Sequence, residues 1–197
     1  MRILSRFWEQ RTIHYRIWTG EGYMRQKPIK MPNQNIKLAD LLPEKLRTKL
    51  ESKIQAVEHP RELVVDVMKA IQSEVGYLCD DGVKLTARML DMNPMEVEEL
   101  ATFYNFIYRE AVGKHVIHVC DSLMCQIDGY LSIKDYLCRK LDIELGRTTA
   151  DGCITLLPAC CLGYCDRSPA MLVDGKAHGN LTFDKLDIII KTLQGDG

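Results

Sequence analysis

From Leu41 onward, apolar residues recur at helical spacing through the first half of the chain. Leu46, Leu50, Ile54 and Val57 fall on one face, and Pro43 occupies the first-turn region where a missing amide hydrogen is tolerated. His59-Pro60 closes this helix. Leu63, Val64, Val67, Met68, Ile71 and Val75 form a second stripe, with Gly76 as the expected left-handed cap. A third, shorter helix is predicted from Gly82 to Leu90. "NPMEVEEL" opens a fourth: Asn93 caps, Pro94 takes the first helical position, Glu96 stands three residues after the cap, and Val97, Leu100, Ala101 and Tyr104 point inward. Residues 35–110 therefore read as an all-helical unit.

After "EAVGK" the rhythm changes, which sets a boundary near Val112 and Gly113. "HVIHVC" is short and rich in β-branched residues, a strand that ends at Cys120. A helix is expected from about Asp128 to Leu141, then a second strand in "CITLLP", a hairpin through "AMLV", Asp174-Gly175 and "KAH", and a closing helix from Thr182 to Leu193. The fold class is α+β: a helical bundle over 35–110 followed by an α/β domain over 111–197. Residues 1–34 show no apolar period and carry Arg2, Arg6, Arg11, Arg16, Arg25, Lys27 and Lys30 against Glu9 and Glu21, so they read as an N-terminal extension. Such a composition suits an organelle transit peptide or sequence preceding a bacterial start at Met24 or Met31, and the bacterial reading is preferred.

Composition narrows the function. Lys plus Arg is 26 against Asp plus Glu 27, a net charge of -1, without the basic excess that a nucleic-acid backbone selects for. The longest apolar stretches fall short of the ~20 residues a membrane helix needs. No phosphate loop or "GxGxxG" follows a strand, so NADH oxidation is expected to belong to a neighbour. Eight cysteines would fit a disulfide framework in a small secreted domain, but no signal peptide with an apolar core and cleavage site is recognisable; in the reducing compartment this favours, clustered thiols bind metal or do redox chemistry more often than they form staples.

Cys120 and Cys125 form one close pair, and "LLPACCLGYC" supplies Cys160, Cys161 and Cys165. Two parallel strands joined by a helical crossover end on the same sheet edge, so two loops bring thiols to one place. That meets the four-ligand requirement of an iron-sulfur cluster or a structural zinc, and the wide spacing within each pair favours iron-sulfur. Absence of any "CxxC" argues against a thiol-disulfide oxidoreductase. Spacing alone does not choose between Cys160 and Cys161; Gly163, which lets the backbone fold back toward sulfur, favours Cys161 with Cys165.

"ELATFYNFIYREAVGKHVIHVCDSLMC" and "LLPACCLGYCDRSPAMLV", with the "GYLCDD" turn and the "DGKAHGNLT" hairpin, closely resemble the family of ferredoxin-like subunits of bacterial NADH-quinone oxidoreductase, which is respiratory complex I, from about residue 35 to 194. The resemblance implies a thioredoxin-like domain holding one 2Fe-2S cluster, with Cys120, Cys125, Cys161 and Cys165 as ligands and Cys160 as a bystander. It also implies a partner subunit carrying FMN and the NADH site, further peripheral-arm subunits, and a place on the cytoplasmic side of the bacterial inner membrane, or in the mitochondrial matrix. The equivalent diaphorase subunit of an NAD(P)-linked hydrogenase or formate dehydrogenase is the runner-up, and a structural zinc module the third reading.

The other candidates have plainer explanations. Cys79, Cys138 and Cys153 suit small core hydrophobes. His115 and His118, an odd separation apart on a strand, face opposite ways. Glu96, Glu98 and Glu99 suit a first helical turn. Phe103, Tyr104, Phe106 and Tyr108 are packing residues that could also meet a partner. Asp121 and Asp166, each following a cysteine, either face the site or turn to solvent.

Overall fold

A computed structural model describes residues 41–195, so the extension expected over residues 1–34 lies outside the described residues. Four helices come first: α1 (Glu44–Ala56), α2 (Val64–Val75), α3 (Asp80–Leu90) and α4 (Pro94–Phe103). α2 stops at Gly76, whose φ of 91° is the left-handed cap read from the sequence. α4 starts as expected: the Asn93 side chain accepts from the Met95 N–H at 2.9 Å, and Glu96 reaches back to the Asn93 N–H at 3.1 Å. α3 begins two residues before the predicted Gly82, because Cys79 caps it by accepting the Gly82 N–H on Sγ at 3.4 Å. Cys79 is thus a half-buried cap as well as a packing residue. Leu41, Val67, Met68, Ile71, Leu78 and Val97 make the buried centre of this helical part.

The second half is built on a five-stranded sheet in the order β2-β3-β1-β4-β5, from β1 (His115–Cys120), β2 (Arg147–Thr148), β3 (Ile154–Ala159), β4 (Met171–Val173) and β5 (Lys176–His178). β1 and β3 are parallel from His115 opposite Ile154 to Cys120 opposite Ala159, and the other pairs are antiparallel. Parallel pairing puts the carboxyl ends of β1 and β3 side by side, as the strand-helix-strand pattern required. The crossover differs from the single helix expected over Asp128 to Leu141. It holds a short α5 (Leu123–Ile127) and then α6 (Tyr130–Leu141), because Gly129 takes a φ of 103° and separates them. The β4–β5 turn places Asp174 at φ 48° and Gly175 at φ 81°, the paired positive angles of a tight hairpin. α7 (Phe183–Gly195) closes the chain.

Ile117, Leu137, Ile154, Leu156, Met171, Leu186 and Ile190 form a second core, distinct from the helical one. Each fully buried aliphatic side chain contributes roughly 1.5–3 kcal/mol over its exposed state. The second core, which includes Cys120, Cys125 and Ala170, therefore anchors the segments that meet at the β1/β3 edge. Cys138 and Cys153 pack half-buried against this second core, in line with the plain reading of them.

Candidate metal centre

The edge where β1 and β3 end gathers four thiols. Cys120 terminates β1 and Cys125 sits in α5; both are buried. Cys161 follows β3 by two residues and Cys165 opens a 3-10 turn over Cys165–Arg167. The loops are tied at their roots by the Asp121 N–H donating to the Ala159 carbonyl at 3.0 Å, and the Cys120 N–H donates to Ala170 at 3.1 Å. Cys161 Sγ and Cys165 Sγ lie 3.4 Å apart, and the Cys120 and Cys125 thiols are close enough to shift each other's proton affinity. The thiols stand as two pairs: among the described residues, no three His, Cys, Asp or Glu side chains converge on one ion-sized point.

Hydrogen-bond donors converge on the sulfurs from both loops. Ser122 Oγ lies 3.2 Å from Cys120 Sγ and also reaches Cys161, so one hydroxyl bridges the pairs. Although Ser122 occupies the N-cap of α5, its side chain makes no cap hydrogen bond, leaving the hydroxyl for sulfur. The Leu162 amide, from one loop, is directed at Cys120, from the other; Gly163 points its amide at Cys161 and Ala170 at Cys125. Gly163 holds φ 74°, which L side chains rarely adopt.

These contacts set the proton affinities. Burial pushes Cys120 up, but the Ser122 hydroxyl and amide, the Leu162 amide and Cys125 pull it below the ordinary thiol range. The Gly163 amide, with Cys165 and Ser122, lowers Cys161. Burial, then the neighbouring Cys120, raises Cys125 to about 11, and Cys161 raises Cys165. In each pair one sulfur gives up its proton more readily and its neighbour less so, as expected where two thiols share a proton.

Cys160 stands apart from the four. Exposed on the loop, it accepts a hydrogen bond on Sγ from Asn105 Nδ2 at 3.5 Å. The histidines do not join the thiols: His115 Nδ1 pairs with Asp174 at 2.7 Å, and His118 is buried between Phe106 and Tyr108. Both flanking aspartates are exposed, and Asp166 makes a 3.5 Å ion pair with Arg167, so the solvent-facing alternative describes them. Sequence reasoning anticipated the Gly163 amide beside Cys161 but missed Ser122, the Leu162 and Ala170 amides and Asn105. Ser122 carried a faint signal as a cap-type residue between two cysteines, whereas the others are visible only once distant segments are brought together.

The profile of the family described as "Thioredoxin-like [2Fe-2S] ferredoxin" matches residues 50–194. The E subunit of the NADH-quinone oxidoreductase of Pseudomonas aeruginosa is 40% identical over 144 residues, 73% of this chain and 87% of that protein. The protein of the same name in Escherichia coli is 42% identical over 136 residues, covering 69% and 82%. Among solved structures, an NAD+-reducing [NiFe]-hydrogenase chain in the air-oxidized state superposes with a TM-score of 0.60 at 22% identity, over 68% of this chain and 23% of that one, a likeness of fold. With the profile spanning both cores and the thiol edge, and with relatives matched over most of their length, this chain belongs to the thioredoxin-like [2Fe-2S] ferredoxin family.

Proposed function

We propose that Cys120, Cys125, Cys161 and Cys165 hold one 2Fe-2S cluster and that the chain is the electron-transfer subunit of an NADH-quinone oxidoreductase. The observation that carries this reading is the pair-of-pairs arrangement with donors aimed at the sulfurs. Two close thiol pairs bridged by Ser122 suit two metal atoms, whereas a single zinc asks four donors to meet at one point. When bound, such a cluster accepts and returns one electron at a time. The residues around it supply four soft anionic donors, polarise them through Ser122 and the Leu162, Gly163 and Ala170 amides, and shield Cys120 and Cys125 from water.

The electron partner is an FMN- and NADH-binding subunit, since no nucleotide motif is recognisable in this chain. Leu123, Ile127 and Leu131 are 74%, 69% and 57% exposed beside Cys125, an apolar margin suited to a protein surface rather than to water. Among the described residues no helix is long and apolar enough to cross a membrane. The place assigned to the chain is a peripheral arm, on the cytoplasmic side in a bacterium, by its likeness to the E subunits. Protein purified anaerobically is expected to be red-brown, with about two irons and two sulfides per chain, and to bring down an FMN-containing subunit linked to a quinone-reducing arm. Colourless, zinc-loaded protein would sink the cluster reading; recovery with a hydrogenase instead of the quinone-linked arm would transfer the chain to a hydrogenase diaphorase.

A further inference from the structure

The segment joining the two cores is bolted down on both sides. From the helical part, Gln72 donates to the Phe106 carbonyl at 2.9 Å and accepts the Tyr108 N–H at 2.6 Å, while the Leu78 N–H donates to the Tyr108 carbonyl at 2.7 Å. Arg109 adds ion pairs to Glu98 at 2.9 Å and Asp80 at 2.8 Å and a hydrogen bond to the Leu78 carbonyl. From the sheet side, the His118 ring, 2% exposed in β1, packs against Phe106 and Tyr108 with centroids 4.8 and 5.8 Å away.

Asn105 therefore projects from a fixed backbone, and its amide reaches across 55 positions of sequence to Cys160. Cys160 and Cys161 are neighbours just after β3, and neighbouring side chains in extended backbone point opposite ways. A loop that turned the other way would offer Cys160 to Cys165 and send Cys161 to solvent. Both sulfurs are chemically competent; within the loop the Gly163 amide favours Cys161, and a hold on Cys160 from outside the loop acts in the same direction. The Asn105 amide is the group from outside the loop that holds the Cys160 sulfur.

We infer that Asn105 is a positioning residue that selects the ligand: by holding Cys160 toward the inter-core segment, it presents Cys161 to the cluster. This rests on the four-thiol reading above, and the test separates the two. Full-length wild type, Asn105→Ala, Cys160→Ser, Cys161→Ser and the double variant Asn105→Ala/Cys160→Ser are purified anaerobically. Iron per chain and the electron paramagnetic resonance spectrum of the dithionite-reduced protein are then compared. Wild type and Cys160→Ser are expected to share one spectrum, and Asn105→Ala to show a second component, from chains ligated through Cys160, that vanishes in the double variant. If Asn105→Ala holds no iron, its recovery in the double variant supports the selection and continued loss overturns it. A single wild-type spectrum in Asn105→Ala, or a second component that survives removal of Cys160, overturns the role of Asn105 alone. Iron lost in Cys160→Ser and kept with an unchanged spectrum in Cys161→Ser overturns the ligand assignment beneath it.

Discussion

At the scale of single residues, two polar neighbours of the thiols act in opposite directions and by different amounts. Ser122 Oγ lies 3.2 Å from Cys120 Sγ and is half-buried, so toward a thiolate it donates with a dipole that is little screened. A donor to sulfur stabilises the more negative, reduced state. Ser122→Ala is therefore expected to lower the cluster midpoint by tens of millivolts, given ~59 mV for about 1.4 kcal/mol in a one-electron couple. Asp166 is 73% exposed on its side chain and paired with Arg167. An exposed charge of this kind counts for a few tenths of a kcal/mol, so Asp166→Asn is expected to raise the midpoint by no more than about 20 mV. One redox titration series on the isolated chain checks both. A larger shift for Asp166→Asn than for Ser122→Ala would mean that through-space charge, and not hydrogen bonding to sulfur, sets the potential.

At the scale of elements, the turn that carries Cys165 is seated on Gly179. A Cβ there would lie 2.6 Å from both Cβ and the carbonyl oxygen of Arg167 and 2.9 Å from the Tyr164 ring. The Asn180 N–H also donates to that carbonyl at 2.6 Å, so the backbone has no room to yield cheaply. Gly179→Ala is expected to destabilise the fold by about 1–3 kcal/mol and to displace the Cys165 turn. Iron would then pass faster to a chelator, and a wild-type rate of iron loss would show that the turn does not depend on this seat. None of this was legible in the sequence, because it joins segments far apart. What was legible had a local code: Asn93, Pro94 and Glu96 for the start of α4, Gly76 for the end of α2, Asp174-Gly175 for the hairpin, and a short run rich in β-branched residues for β1. α5 was missed because five residues give no helical period and its Leu123 and Ile127 face solvent, although it carries Cys125. β2 was missed because two residues of edge strand carry no alternation. The thiol pairs could be read because strand ends mark positions on a sheet edge; the preference for Cys161 over Cys160 rested on Gly163 and resemblance, since the contact of Asn105 with the loop is not encoded nearby.

At the scale of the whole described molecule, the segment after α4 leads from the helical core to the second one, and Tyr108 lies in it against His118. Burial, with a smaller contribution from the Asp174 carboxylate, pushes the Tyr108 phenol up to about 12 from its ordinary value of 10.0. The unfolded chain releases this proton near its ordinary value while the folded chain keeps it, so between those two values unfolding releases a proton and rising pH favours it. The stability held by the neutral phenol is full below pH 10 and is lost as pH rises through about 12. Tyr108→Phe keeps the ring against His118 and removes the ionisable group. It is expected to unfold near neutral pH much as wild type does, yet to lose less stability across that alkaline window, as measured by denaturant midpoints at successive pH values. Absorbance titration of the wild-type tyrosines should show one phenol ionising only as the junction opens. Parallel losses in the two proteins would mean that Tyr108 is solvated in the folded state, and that the joint between the helical part and the thiol-bearing part is looser than its packing indicates.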